Sequence, residues 1–339
     1  MVLGRFFKRR GDAAAVSPKP LWVKAAAGVA GALAVLMIGL GVYWSGEPEI
    51  FWVNERPDSE RRVVGYATTD TLVRVAGTLL DKPGGYLSND IMPPSVFLDN
   101  IPNWEFGVLQ QVRDLARVIR NDHSRSQSQS REDPDVAVAE PKFYFDNDSW
   151  ILPPTESEYR EAIRGFTRYR DRLSGIGGDA QFFARADNLR EWLAQVEKRL
   201  GSLTRRLGDS VATTVINTDL AGDLSASASS VLGDTVNVKT SWFEIDDVFF
   251  EARGTAWALV HFFRAAEFDF DQVLSDKNAA VSVRQIIREL EASVQPLRSP
   301  VVLNGGGFGL FANHSLVMAN YLARANSAVI NLRELLDQG

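Results

Sequence analysis

The chain has 339 residues, is 45% hydrophobic, and carries 43 acidic against 37 basic side chains, for a net charge of −6. That length can bury a sizeable core, while the acidic balance excludes a nucleic-acid surface, which needs clustered Lys and Arg. With no cysteine, neither a disulfide framework nor a thiolate metal site is available.

Residues 1–20 hold Arg5, Lys8, Arg9, Arg10 and Lys19 against Asp12 alone and read as a basic cytoplasmic tail. Residues 21–44 follow as an apolar run whose single charge is Lys24. At a rise of about 1.5 Å per residue, such a helix crosses a hydrocarbon layer of roughly 30 Å. Trp22 stands near one end and Tyr43 and Trp44 at the other, where amphipathic rings favour the interface. A cleavable signal peptide is the competing reading. The run is too long for one, and Tyr43-Trp44-Ser45-Gly46 puts bulky rings where a cleavage site wants small residues. The basic side precedes the span and Glu47 and Glu49 follow it, so the positive-inside rule predicts a single pass with the carboxyl-terminal domain outside the cytoplasm. Within the span, Ala26-Ala30-Ala34 and Gly28-Ala32 recur at four-residue spacing, a face that permits helix–helix approach in lipid.

Residues 45–68 read as a juxtamembrane connector and 69–339 as the extracytoplasmic domain. Thr69 or Asp70 is expected to cap a short helix carrying Leu72, Val75, Ala76, Leu79 and Leu80, which Asp81-Lys82-Pro83-Gly84-Gly85 stops. Residues 81–107 combine four prolines with Tyr86, Phe97, Trp104 and Phe106. That is too aromatic for a disordered linker, so an ordered loop is expected there. Val108 to Ile119 repeat at helical spacing. Residues 122–140, with an alternating Ser/Arg/Gln run, read as a mobile loop, and Lys142 to Leu152 as a short extended piece.

Thr155 and Glu158 have the spacing of a capping box, opening a helix with Tyr159, Ile163, Phe166 and Leu173 on one side. Phe182, Ala186, Leu189, Leu193, Val196, Leu200, Leu203 and Leu207 then alternate in steps of four and three. This a/d seam fits either a coiled coil between subunits or a helix packed in its own bundle, the bundle being favoured by domain size. Residues 209–239 read as a Ser/Ala-rich connector. Three more helices are expected: one with Val248, Phe249, Ala252, Ala256, Leu259, Val260 and Phe263 on its apolar face, one from Val283 to Leu297, and one from Phe311 to Leu336 burying Val317, Met318, Tyr321, Leu322, Ala325, Val329, Leu332 and Leu336. Asn313, Asn320 and Ser327, seven apart, share one face, read either as amides bonding a neighbouring helix or as a solvated face. The expected fold class is all-α: one N-terminal transmembrane helix followed by an antiparallel helical bundle with long ordered loops.

No constellation marks an enzyme. Gly307-x-Gly309-x-x-Ala312 fits the loose dinucleotide fingerprint, but no βαβ unit surrounds it, and a tight turn into the last helix explains it. His123, His261 and His314 lack the spacing of metal ligands, so no metal and no cofactor are expected. A G-x-S-x-G nucleophile motif is missing. If a binding site exists, the sequence points to two segments, 81–107 and 304–314. The candidate residues are Tyr86, Asn89, Asp90, Asn103, Trp104, Glu105, Asn304, Gly307 and His314, expected to meet in one pocket.

Three stretches carry a resemblance: Pro83-Gly84-Gly85-Tyr86-Leu87-Ser88-Asn89-Asp90, Leu98-Asp99-Asn100-Ile101-Pro102-Asn103-Trp104-Glu105-Phe106-Gly107, and Ser124-Arg125-Ser126-Gln127-Ser128-Gln129-Ser130. Together with the Gly-rich entry to the last helix, they are similar to a proteobacterial family of single-span envelope proteins, domain of unknown function 2333. The resemblance runs from the anchor onward. It implies an inner-membrane protein with a periplasmic domain and carries over no activity and no functional residue. The expected function is therefore a non-enzymatic, membrane-anchored scaffold or adaptor of the cell envelope. The alternative is a periplasmic ligand-binding or hydrolytic domain acting on envelope material. Expected partners are the lipid bilayer through residues 21–44 and a protein partner or second copy through helical faces.

Overall fold

The computed structural model describes residues 21–53, 63–125, 131–211, 213–216, 235–299, 301–306 and 310–338. Helix α1 (Leu21–Trp44) contains an 18-residue window with a mean hydropathy of 2.2 that is 6% buried, so it is long and apolar enough to cross a membrane, and only its last turns touch the rest. There follow α2 (Tyr66–Asp81), α3 (Asn100–Val118), the short α4 (Pro134–Ala139), α5 (Thr155–Leu173) and α6 (Ala186–Gly208). Strands β1 (Thr213–Ile216) and β2 (Thr235–Val238) pair antiparallel, Thr213 facing Val238. The chain ends with α7 (Ile245–Asp269), α8 (Asp271–Asp276), α9 (Ala280–Ser293) and α10 (His314–Asp337). Apart from the two short strands the fold is all-α.

Helix α7 is the axis of the molecule. Sequence periodicity shows one apolar face, yet Trp257, Ala258, Phe262 and Ala265 on its other sides are buried as well. A helix that is apolar all round belongs inside. Its neighbour α3 comes close enough for backbone contact, and glycine permits it. A Cβ on Gly107 would lie 2.1 Å from the Glu251 carbonyl, and one on Gly254 would lie 2.0 Å from that of Trp104.

Cross-helix pairs fix the directions. Asn103 bonds Asp247 near the starts of α3 and α7, and the His123 and Phe270 rings meet beyond their ends, so the two run parallel. Asp70–Arg170 and Asp81–Arg160 make α2 and α5 antiparallel. Arg253 meets the end of α9 and Glu267 pairs Arg284 near its start, so α9 opposes α7. Arg190–Asp337 and Arg333–Glu197 set α6 against α10. One end of the bundle therefore gathers the finish of α2, α6 and α9 with the starts of α3, α5, α7 and α10. The same end meets the carboxyl-terminal end of α1, since a Cβ on Gly84 would strike Trp44, 2.8 Å from its Cγ. The opposite end holds the 119–125, 175–185 and 270–279 turns.

Several expected boundaries shift for physical reasons. Helix α2 starts at Tyr66 rather than at a Thr69 or Asp70 cap. Gly65 precedes it at φ +86°, where a Cβ would also lie 2.2 Å from the Phe182 ring. Helix α3 reaches back to Asn100, so Asn103, Trp104 and Glu105 are helical rather than part of a loop ending at 107. Pro102 is tolerated because first-turn N–H groups need no intrahelical partner, and Asp99 accepts from the Asn100 N–H. Thr155 and Glu158 form no capping box. Pro154 occupies the cap position, while the Thr155 hydroxyl donates to the carbonyls of Asp146 and Ser149. Residues 140–144 are a 3-10 turn rather than an extended piece. Of the expected mobile loop 122–140, residues 134–139 are helix α4, 122–123 close a π turn that begins at Ile119, and 126–130 lie outside the described residues.

The heptad seam from Leu189 to Leu207 is buried within this chain and packs with α10, the intramolecular arrangement. Phe182 precedes α6 but is buried with it. Within α10, Val317 is exposed, Asn313 is the N-cap accepting from the Leu316 N–H, Asn320 is exposed, and Ser327 bonds its own helix at Ala323. Of the two readings of that face, Asn320 takes the solvated one.

Candidate functional site

The most elaborate polar construction lies where the chain leaves α1. Residues 47–52 form an extended strap laid along α7. Two residues of extended chain advance about 6.6 Å, and four residues of helix about 6.0 Å, so alternate strap positions can meet every fourth helix position. They do: 47, 49 and 51 meet Arg253, Trp257 and His261.

The Glu47 carboxylate takes a fork of two hydrogen bonds from Arg253, at 2.6 Å from Nε and 2.8 Å from Nη2. The same buried guanidinium donates to the carbonyls of Gln295 (2.9 Å), Val294 (3.3 Å) and Ser293 (3.4 Å), which end α9. Trp257 Nε1 donates to the Glu49 carbonyl at 3.3 Å. The Phe51 N–H donates to His261 Nε2 at 3.0 Å, and His261 Nδ1 donates to the Trp257 carbonyl at 2.7 Å. Both ring nitrogens are thus engaged in the neutral form. Burial pushes the imidazole down to about 3; the Trp257 carbonyl works against that shift, and Arg264 and Arg74 add to it.

Packing completes the clamp. Phe51 stacks on His261 with centroids 3.9 Å apart and meets Trp257 edge-on at 5.9 Å. Arg74 of α2 lies 4.0 Å over the Phe51 ring and donates to the Trp52 carbonyl at 2.9 Å. Arg264 lies 5.6 Å from the Trp52 ring centroid and pairs with Glu291 at 2.7 Å. Beside the strap opens a cavity of about 750 Å³, lined by Glu47, Asn100, Phe250, Arg264, Gln295 and Val302 among others. Its principal cations, Arg253 and Arg264, are already held by Glu47 and Glu291.

The sequence-predicted site residues are distributed among several environments. Glu105 is fully buried in an ion pair with Lys82 at 2.6 Å and accepts from the Leu87 and Ser88 N–H groups. Burial pushes its carboxyl upward, against the pull of the Lys82 ammonium. Tyr86 is buried edge-on to Tyr159. Asn89 Nδ2 donates to the Ser149 carbonyl and to Glu156, tying two loops together, and the adjacent Asp90 is exposed. Asn103 donates to Asp247 at 2.6 Å, in a hollow it shares with Arg206 and Lys239. Trp104 is buried with its ring centroid 5.2 Å from that of Trp257, so it supports the strap's groove from behind.

In the second segment, Asn304 accepts from the Ser315 hydroxyl and lines a different hollow with Ser210 and Ile245. His314 Nδ1 accepts from the Leu303 N–H at 3.0 Å. Gly307 lies outside the described residues. Asp90, Glu105 and His314 therefore occupy separate places. Among the described residues, the first segment reaches the strap cavity through Asn100 alone, and the second contributes nothing to it, Val302 lying just before that segment. Among the described residues, no group of three or more His, Asp or Glu side chains is placed to hold a metal ion.

The strap is what sequence reasoning missed. Its only mark in the sequence is the four-residue spacing of Arg253, Trp257 and His261 within the otherwise uncharged stretch 252–263 of α7.

The chain belongs to a bacterial family described as "Uncharacterized protein conserved in bacteria (DUF2333)", whose family model matches residues 17–339 and so includes α1. No curated protein matches the chain, and no solved structure does.

Proposed function

We propose that this family member is a membrane-anchored, periplasm-facing helical scaffold or adaptor of the bacterial cell envelope, acting by presenting a surface rather than by catalysis. Anchoring is supported by the length and apolarity of α1. The outward orientation is supported by Arg5, Lys8, Arg9 and Arg10 before α1 and Glu47 and Glu49 after it.

The observation that carries the scaffold reading is the strap. A tethered enzyme needs only a flexible leash, whereas here the exit from the anchor is bonded to the central helix at three successive turns. That construction fixes the domain relative to the membrane, which is what a docking platform requires. The two guanidinium groups lining the strap cavity, Arg253 and Arg264, are held in structural pairs with Glu47 and Glu291.

Gentle solubilisation of the full chain from native membranes, after cross-linking in the cell, tests this. The scaffold reading predicts a recurrent partner or a second copy of the chain. A bare monomer in every detergent tried contradicts it.

A second reading, a small-molecule site in the strap cavity, is favoured by one observation: about 750 Å³ is a volume typical of ligand pockets. It predicts a thermal shift of the purified chain with a soluble envelope fragment, and a shift that survives Gln295→Trp, which fills the cavity, counts against it.

A further inference from the structure

We infer that the anchor-side end of the bundle is itself a bilayer-docking surface, seated in the leaflet from which α1 emerges, so that the domain is monotopically embedded as well as tethered. This rests on the anchoring reading and adds to it that the folded domain touches lipid.

Two independent observations lead there. The first is depth. A Cβ built on Gly41 would lie 3.7 Å from Leu98 Cδ2 and 3.8 Å from Pro94 Cβ, so the 91–98 loop is in van der Waals range of α1 one turn before its end. Tyr43 and Trp44 mark where a spanning helix meets the headgroups. A loop touching Gly41 therefore reaches that level or deeper, by roughly three residues of helix rise, or about 4.5 Å. The residues it leaves uncovered are Ile91, Met92, Val96 and Phe97, the last 76% exposed.

The second observation is where the bundle leaves its large apolar side chains uncovered. Trp150, Ile151 and Leu152, with Leu152 89% exposed, sit in the loop that Asn89 ties to the 82–99 segment. Trp242 and Phe243 precede α7, and Leu310 and Phe311 precede α10. All of these loops cap the anchor-side end, as the helix directions require. Around the opposite end the uncovered counterparts are scattered: Ile176, Val64 and Val281. Scattered apolar exposure is ordinary, but a rim of aromatic and aliphatic side chains at one end, continuous with a spanning helix, is the signature of an interfacial surface. Acidic neighbours such as Asp90, Asp99 and Asp246 make attraction to anionic headgroups a poor driver, so apolar insertion carries the contact.

The test uses the full chain, whose lack of cysteine allows single labels. Nitroxides are placed through Met92→Cys, Leu152→Cys, Phe243→Cys and Leu310→Cys, with Ile176→Cys and Val281→Cys at the far end and Leu33→Cys within α1. The protein is reconstituted in phosphatidylethanolamine–phosphatidylglycerol vesicles. Collision with oxygen, which concentrates in lipid, is compared with collision with a water-soluble nickel chelate. The proposal predicts that the oxygen-to-nickel ratio at the four anchor-side positions is severalfold above that at Ile176 and Val281. If Leu33 is lipid-exposed while those four match the far end, docking is overturned and anchoring stands. Low collision with both reagents at the four positions means a protein occupant and also overturns it. A nickel-accessible Leu33 overturns anchoring and docking together.

Discussion

The two ends of the bundle are closed by different chemistry. At the far end the turns fold inward: the His123 ring is buried between Phe182 and Phe270, and Asn188 bonds the Asp122 and Phe183 carbonyls. At the anchor-side end the loops turn their apolar residues outward, and the polar work is concentrated in the strap along α7. One end is finished against water and needs nothing further. The other is finished only if something apolar covers it, and α1 brings the means with it. The contrast shows how a helix bundle can encode its own orientation without a charged surface of one sign.

The comparison breaks most readily at the strap. Arg253→Ala leaves the Glu47 carboxylate and the Ser293, Val294 and Gln295 carbonyls at the end of α9 without this donor. Breaking such a buried pair costs about 3–5 kcal/mol. Thermal unfolding in detergent should fall accordingly, with new protease cleavage between residues 45 and 53; an unchanged cleavage pattern would mean that the strap is held elsewhere. Gly254→Ala, which pushes a methyl into the Trp104 carbonyl, should cost about 1–3 kcal/mol by denaturant titration, with the secondary structure retained. A loss under about 0.5 kcal/mol would show that α3 and α7 can separate freely.

Acid sharpens the contrast between the ends. His123 is pushed down to about 4 by burial, Arg185 helping and the Asn188 carbonyl opposing, and His261 is pushed down to about 3. Both folded values lie below the ordinary 6.5, so the unfolded chain binds more protons as pH falls. The stability each neutral ring confers is fully present above pH 6.5. It is lost between 6.5 and about 4 for His123, and continues to be lost to about 3 for His261. Within the shared window each contributes a slope of about 1.4 kcal/mol per pH unit. His123→Phe, which keeps the ring packing, should flatten the stability–pH curve by about that slope while leaving the strap protected from protease. His261→Gln should flatten it similarly and expose the strap. Equal strap protection in both variants would disconnect His261 from residue 51. The smallest effect belongs to the half-exposed pair Arg190–Asp337 at the far end. Arg190→Ala should change stability by about 0–1 kcal/mol, and a larger loss would mean that this end is less self-sufficient than its packing indicates.

What was legible in the sequence follows from how local each signal is. Helix α1 is an unbroken apolar run, and α6 writes its partner face in Leu189, Leu193, Val196, Leu200, Leu203 and Leu207, so both were readable. The start of α3 is hidden because Asn100–Gly107 reads as the tail of the proline-containing stretch 81–107, and only the structure shows Asp99 capping the helix at Asn100. The Thr155–Glu158 spacing imitated a cap because the competing acceptors, Asp146 and Ser149, lie in the preceding loop. The spacing of Arg253, Trp257 and His261 does not reveal what they bind, for a different reason. Two of the strap's three attachments use backbone groups, the Glu49 carbonyl and the Phe51 N–H, which leave no mark on residue type, and their partners are more than 200 positions away. The candidate site was drawn from aromatics and amides in loops, and Tyr86, Trp104 and Glu105 proved to be core groups. The loop residues that stay exposed, Phe97, Leu152, Phe243 and Leu310, fit no helical period.

The central claim is that the strap fixes the domain to the anchor, and one distance distribution tests it. With nitroxides at Val42→Cys in α1 and Ile176→Cys at the far end, double electron–electron resonance on the full chain in vesicles should give a single narrow peak that broadens on Arg253→Ala. A broad distribution in the otherwise unaltered chain, or one indifferent to Arg253, would contradict the account.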